Sequence, residues 1–192
     1  MTGGETSIHS DAKGMDISIT VSGFLSKKFH NQCKSGDVLM GFASNGIHAN
    51  GFTKVREVFE NNYRKEFTEP TNIYLDKILS VLAAHKVHGM MHMTGGAFTK
   101  LKDILGRNTA VISQPKTLWP QKVFRDMYAR GLSNKTMYST FNCGVGFLLS
   151  VPRKEVSKIL SHFHDIAVIG EVMRGNNKVR IISAFDQKII EL

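Results

Sequence analysis

Apolar residues recur along this chain in two rhythms. From Asp16 to Ser22, Ile17, Ile19 and Val21 alternate with Ser18, Thr20 and Ser22, the period of two that marks a half-buried strand. Val38 to Ala43 is a short, nearly unbroken apolar run behind the turn residues Gly36 and Asp37, which predicts a buried strand. Beyond it Phe52, Val55, Val58 and Phe59 return at helical spacing, with Lys54, Arg56 and Glu57 on the other side. A helix is therefore predicted over GFTKVREVFENNY, with Asn50 as its N-cap.

The helical rhythm comes back in IYLDKILSVLAAHK, where Leu75, Ile78, Leu79 and Leu82 share a face, and in AFTKLKDILG through Phe98, Leu101, Ile104 and Leu105. PQKVFRDMYARG is a helix opened by Pro120 and closed by Gly131, and PRKEVSKILSHF is another with Pro152 near its start. Strands are predicted in VHGMMHM, TAVISQP and VGFLLSV. IAVIGEV and KVRIISAF read as two more, joined in a hairpin about Gly175-Asn176-Asn177. Alternating elements with an antiparallel ending predict an α/β (α+β) fold: a mixed sheet with helices packed on it.

The linker Gly41 to Phe52 (GFASNGIHANGF) joins a strand end to a helix start, where free backbone N–H groups and the positive end of the helix dipole favour phosphate. Charge agrees with an anionic partner: 25 Lys and Arg stand against 16 Asp and Glu, a formal net charge of +9. The basic residues are scattered in pairs such as Lys27-Lys28, without an aromatic-interleaved stripe, so nucleic acid is not expected as the main partner, and phosphorylated small molecules fit the charge equally well. With 192 residues, 42% hydrophobic and 21% charged, the chain is long enough for one substantial core. No apolar run reaches the roughly 18 residues of a membrane span, and MTGGETSIHS is unlike a signal peptide, so a cytoplasmic protein that does not enter a membrane is expected. Cys33 and Cys143 offer neither a disulfide framework nor zinc spacing and read as reduced thiols.

Four polar constellations interrupt the scaffold: Thr2 to Ser7, Ser44 to Gly51, His92 to Gly96 and Ser139 to Gly144. None is a P-loop or a dinucleotide-binding glycine motif. In order and spacing, Gly3-Gly4-Glu5-Thr6, Gly36-Asp37-Val38-Leu39, the loop with His48 and Asn50, His92-x-Thr94-Gly95-Gly96 and Thr140-Phe141-Asn142-Cys143-Gly144-Val145-Gly146 resemble one family. That family is aminoimidazole ribonucleotide synthetase, also called phosphoribosylformylglycinamidine cyclo-ligase, of purine biosynthesis.

The resemblance covers the rear part of the family's two-domain plan. It implies that residues 1–30 are the tail of the N-terminal domain, which carries a Gly-x-Gly-x-Lys nucleotide motif, acidic metal ligands and dimer-forming strands, and that residues 31–192 are the C-terminal domain. It also implies ATP and Mg2+ as cofactors, bound chiefly by the part absent from this sequence. The reaction activates the formyl amide oxygen of formylglycinamidine ribonucleotide as a phosphorylated imidate, and an internal nitrogen then displaces phosphate to close the imidazole. Positioning and charge stabilisation carry such chemistry. Three departures stand out: Asn45 where a serine is usual, Ala97 where a third glycine is frequent, and no Met-Pro-Gly after Thr6.

Carried onto this chain, the resemblance makes His48 the catalytic or substrate-binding histidine, its other reading being a turn residue at a helix start. Gly4, Glu5, Thr6, Ser44, Gly46, Asn50, Gly51, Thr94, Gly95, Gly96 and Asn142 become the substrate- or phosphate-binding set. Cys143 stands where methionine is common, so packing explains it better than nucleophilic attack. His85, His88 and His92 invite a metal reading, but no carboxylate or cysteine completes a ligand set, and no metal site is expected. The expected partners are a phosphorylated ribonucleotide and either a second copy or the missing N-terminal half. Two alternatives stay open: a non-catalytic ligand-binding or assembly module, and a two-domain relative such as formylglycinamidine ribonucleotide synthetase.

Overall fold

A computed structural model describes residues 19–24, 28–60 and 62–192. Seven strands form one sheet: β1 (Val38–Ala43), β2 (Gly89–His92), β3 (Asn108–Ser113), β4 (Val145–Val151), β5 (Ile166–Arg174), β6 (Val179–Ile182) and β7 (Ile189–Glu191). Six α-helices pack on it: α1 (Phe52–Phe59), α2 (Leu75–Ala84), α3 (Lys102–Leu105), α4 (Lys122–Ala129), α5 (Asn134–Thr140) and α6 (Val156–His162). The strand order is β2-β4-β1-β5-β3-β6-β7, antiparallel throughout except for the parallel pair β3 and β6, so the sheet is mixed as expected.

The unbroken apolar runs make central strands because both faces of the sheet are covered there. In β1, Leu39 joins the larger core, built with Val55 and Phe59 of α1, Leu105 of α3, Phe124 of α4 and Tyr138 of α5. Val38, Met40 and Phe42 point the other way, onto Tyr74, Ile78 and Val81 of the α2 region and Ile159 of α6. Successive residues of one strand thus serve two cores, which removes the alternation that a half-buried strand would show.

Four expectations need correction. The proposed hairpin between β5 and β6 does not form, because β3 lies between them: β5 pairs antiparallel with β3, and β6 pairs parallel with it. The turn residues instead wrap the start of β3, with Gly175 N donating to Arg107 O at 3.2 Å and Asn177 N to Asn108 O at 3.0 Å. In α2 the buried face is Ile78 and Val81, whereas Leu75 and Leu79 are exposed. Tyr74, just before the helix, is buried with Ile78 and Val81, and its hydroxyl donates to Ala43 O at 2.8 Å.

The helix α5 was not expected; its sequence signal is Ser133, whose hydroxyl accepts from Thr136 N at 3.1 Å as an N-cap. The strand read at Asp16 to Ser22 is not seen where it can be assessed. Its first three residues lie outside the described residues, while residues 19–22 form no strand and leave Ile19 and Val21 exposed.

Candidate functional site

The linker after β1 folds back on itself through two backbone conformations that L-residues seldom adopt. His48 sits at φ 59° and Gly51 at φ 76°. Gly51, not Asn50, occupies the N-cap position of α1, and no side chain caps that helix. A Cβ at Gly51 would fall 2.3 Å from the ring of Phe141, so this glycine lets the helix start press on an aromatic core residue. The Asn50 amide turns away instead, its Oδ1 standing 3.4 Å from where a Cβ of Gly95 would be. Asn50→Ala is accordingly expected to change stability by less than about 0.5 kcal/mol in chemical denaturation, rather than the loss of about 1 kcal/mol that follows removal of a helix cap.

His48 is buried, and its ring is bracketed by Tyr74 at 6.2 Å and His92 at 6.0 Å between centroids. Gly146 opens the space for them: a Cβ there would lie 1.8 Å from Tyr74 Oη and 3.0 Å from His48 Cε1. Nε2 of His48 donates to Asn45 Oδ1 at 3.1 Å, whereas Nδ1 is buried without a partner among the described residues. Burial, reinforced by the neighbouring His92, pushes the imidazole down to about 4, so the ring is neutral at physiological pH. Burial lowers His92 as well and raises Tyr74 to about 12. The cluster is thus a set of neutral hydrogen-bonding groups, and His48 cannot hold phosphate as a cation.

Asn142 supplies the strap that holds this linker. Its Nδ2 donates to Gly46 O at 2.7 Å, and its Oδ1 accepts from Ser44 Oγ at 2.8 Å and Gly144 N at 3.0 Å. Gln121 adds a second hold, donating through Nε2 to Ser44 O at 2.6 Å. Ser44, Gly46 and Asn142 are therefore brought together, though with Ser44 and Asn142 facing each other as buried scaffold. Gly95 lies next to Asn50, and the turn continues through Gly96 at φ 81° and Ala97 at φ 42°. Thr94 helps close it by accepting from Ala97 N at 2.8 Å through its carbonyl. Ala97, where the resemblance leads one to expect glycine, does occupy a backbone region that favours glycine. Gly4, Glu5 and Thr6 lie outside the described residues.

Cys143 is fully buried and its thiol is pushed well above the ordinary value, which removes the thiolate a nucleophile needs. The three histidines of the metal reading part company. His88 Nδ1 donates to Asp37 at 2.9 Å, His85 Nδ1 lies 3.3 Å from Glu155 Oε2, and His92 stacks on Phe147 beside His48. Among the described residues no group of three or more His, Cys, Asp or Glu could hold a metal ion. The sequence reading missed Tyr74, Asn45 and Gln121 as parts of the site. Tyr74 and Gln121 carry no local signal, since they reach the linker from 31 and 77 positions away.

The constellation of loops has relatives. Residues 34–182 match the family model for AIR synthase related protein, C-terminal domain. The chain belongs to this family. Among AIR synthase relatives it is 34% identical to the phosphoribosylformylglycinamidine cyclo-ligase of Saccharolobus solfataricus, over 99% of this chain and 60% of that protein. To the enzyme of the same name from Methanosarcina acetivorans it is 32% identical, over 94% of this chain and 59% of that one. The chain therefore spans about three fifths of the length of these curated relatives.

The AIR synthase C-terminal fold also appears in solved structures at much lower identity. The crystal structure of hydrogenase maturation protein HypE aligns with a TM-score of 0.59 at 17% identity, covering 85% of this chain and 54% of that one. Thermotoga maritima PurL complexed with ATP aligns at 0.52 and 12% identity, covering 85% of this chain and 26% of PurL. These likenesses establish the architecture.

Proposed function

We propose that this chain is the rear, substrate-facing part of an ATP-dependent phosphoribosylformylglycinamidine cyclo-ligase, converting formylglycinamidine ribonucleotide to aminoimidazole ribonucleotide. The observation that carries the reading is the 34% identity to a cyclo-ligase sustained over 99% of the chain. The site is compatible with it. Two turns rich in glycine, at Ser44 to Gly51 and Thr94 to Gly96, meet through Asn50 and Gly95. Beside them stands a neutral histidine able to accept a hydrogen bond.

ATP and Mg2+ do not fit the described residues. Among the described residues no acidic cluster could hold the metal, and the sequence has no Gly-x-Gly-x-Lys nucleotide loop. We assign both to a front domain, with residues 1–30 as the tail of that domain and 31–192 as the C-terminal domain. A phosphorylated ribonucleotide would lie between the two. No described helix is long and apolar enough to cross a membrane, and we assign the protein to the cytoplasm, a reading that a role in purine biosynthesis supports.

We assign association to the N-terminal segment. Ile19, Val21 and Phe24 are 82%, 87% and 108% exposed, an apolar series on backbone without strand partners among the described residues. It suits pairing with a front domain, and through that domain a dimer. The test is reconstitution: the purified chain is mixed with the front half of the Saccharolobus solfataricus relative and ring closure is assayed. The chain alone is expected to give no turnover, the mixture to give turnover, and Ile19→Lys to weaken the association seen by light scattering. Ring closure by the chain alone, or a stable mixed complex without turnover, overturns the reading; the second result favours a non-catalytic assembly module.

A further inference from the structure

The hydrogen bonds around Asn45 determine which nitrogen of His48 carries its proton. Asn45 Nδ2 lies 2.6 Å from the carbonyl oxygen of Pro70. A carbonyl oxygen only accepts, so this end of the amide must be the NH2 group, and its orientation is settled. Oδ1 is then the end that faces His48 Nε2 at 3.1 Å. Because Oδ1 also only accepts, Nε2 must be the protonated nitrogen. In a neutral ring Nδ1 is left as a bare acceptor, and it is buried with no hydrogen-bond partner among the described residues.

An unpaired acceptor in a buried ring costs stability, as does a non-glycine residue at φ 59°. Both costs fall on one residue in a linker otherwise strapped by Asn142 and Gln121. The groups packed around it do not relieve the acceptor: Tyr74 spends its hydroxyl on Ala43 O, and His92 contributes a ring 6.0 Å away.

We propose that Asn45 is a positioning residue which fixes His48 as the Nε2–H tautomer, so that Nδ1 accepts a hydrogen bond from an N–H or O–H group of the bound ligand rather than contacting its phosphate. The amine and amidine nitrogens or hydroxyls of a small polar substrate belong to this class of donor. Only the identity of the ligand rests on the cyclo-ligase reading. The tautomer is a property of the chain by itself and is measured without turnover, so failure of the reconstitution assay leaves it standing.

The experiment is nitrogen-15 NMR of the histidine rings in the full chain at pH 7. Wild type is expected to show His48 Nε2 as a protonated nitrogen and Nδ1 as an unprotonated one. Asn45→Ala should lower the ratio of the two tautomers about tenfold, the effect of losing one hydrogen bond to a buried group. Asn45→Asp gives up the donor to Pro70 O but still offers Nε2 an acceptor oxygen, so protonation at Nε2 should be preserved although the linker is weakened, a split that a merely structural role for Asn45 does not predict. Inorganic phosphate should leave the His48 signals unmoved. A proton on Nδ1 in wild type, an unchanged ratio in Asn45→Ala, or a shift towards imidazolium on adding phosphate overturns the proposal.

Discussion

Gly144→Ala is expected to cost at least about 3 kcal/mol of folding stability, whereas Gly131→Ala, at nearly the same backbone angle, should cost about 1 kcal/mol. The φ values are 101° and 102°, so the local strain of adding a Cβ is shared by the two positions. They differ in what the Cβ meets. At Gly131 nothing lies within 4 Å; at Gly144 the new atom would be 2.3 Å from Leu118 O and 2.9 Å from Trp119 O.

The Leu118 carbonyl is not free to retreat, because it accepts from Gln114 Nε2 at 2.9 Å, and the same amide nitrogen donates to Cys143 O at 2.8 Å. On the other side, Gly144 N donates to Asn142 Oδ1, and its carbonyl accepts from Ser44 N at 2.9 Å. Movement at Gly144 is therefore transmitted to the linker that carries His48. Urea denaturation of both variants measures the difference, and equal losses would show that the loop around Gly144 is soft.

This contrast also marks what the sequence could convey. The apolar runs at β1 and β4 are local signals, and they locate the strands well because each is buried on both faces. Pairing between strands is not local. A Gly-Asn-Asn turn between two apolar runs looks like a hairpin, but whether a third strand slides between them depends on β3, some sixty positions earlier in the chain. The glycine-rich motifs were legible as sites of unusual backbone, and Gly51, Gly96 and Gly144 all have positive φ.

What those motifs touch was hidden. Asn50 has the right identity and position for a helix cap, yet the left-handed turn at Gly51 takes the cap position and frees its side chain. Ser44 and Asn142 read equally well as ligands, but each satisfies the other across 98 positions, a pairing that only the fold can make.

Stability should fall steeply as the solution is acidified from pH 6.5 to pH 4, by up to about 3 kcal/mol from His48 alone. In the folded chain burial holds this imidazole at about 4, against an ordinary value of 6.5. Above pH 6.5 the ring is neutral in both states, and the full contribution is present. Between 6.5 and 4 the unfolded chain takes up a proton that the folded chain refuses, so the unfolded state gains with each step down in pH. Below 4 both states are protonated and this contribution is exhausted.

His92 is displaced in the same direction, but it is exposed, so solvent screening leaves it a minor part of the fall. Carboxylates titrate in part of this window too, and a variant at position 48 separates them. His48→Asn keeps a residue that tolerates the left-handed backbone and removes the titrating ring, while leaving every carboxylate unchanged. The excess loss of wild-type stability between pH 7 and pH 4, relative to His48→Asn, isolates the histidine. Parallel curves for the two proteins would mean that His48 takes its proton in the folded state as readily as in water, and the neutral acceptor placed between Tyr74 and His92 would then be a cation.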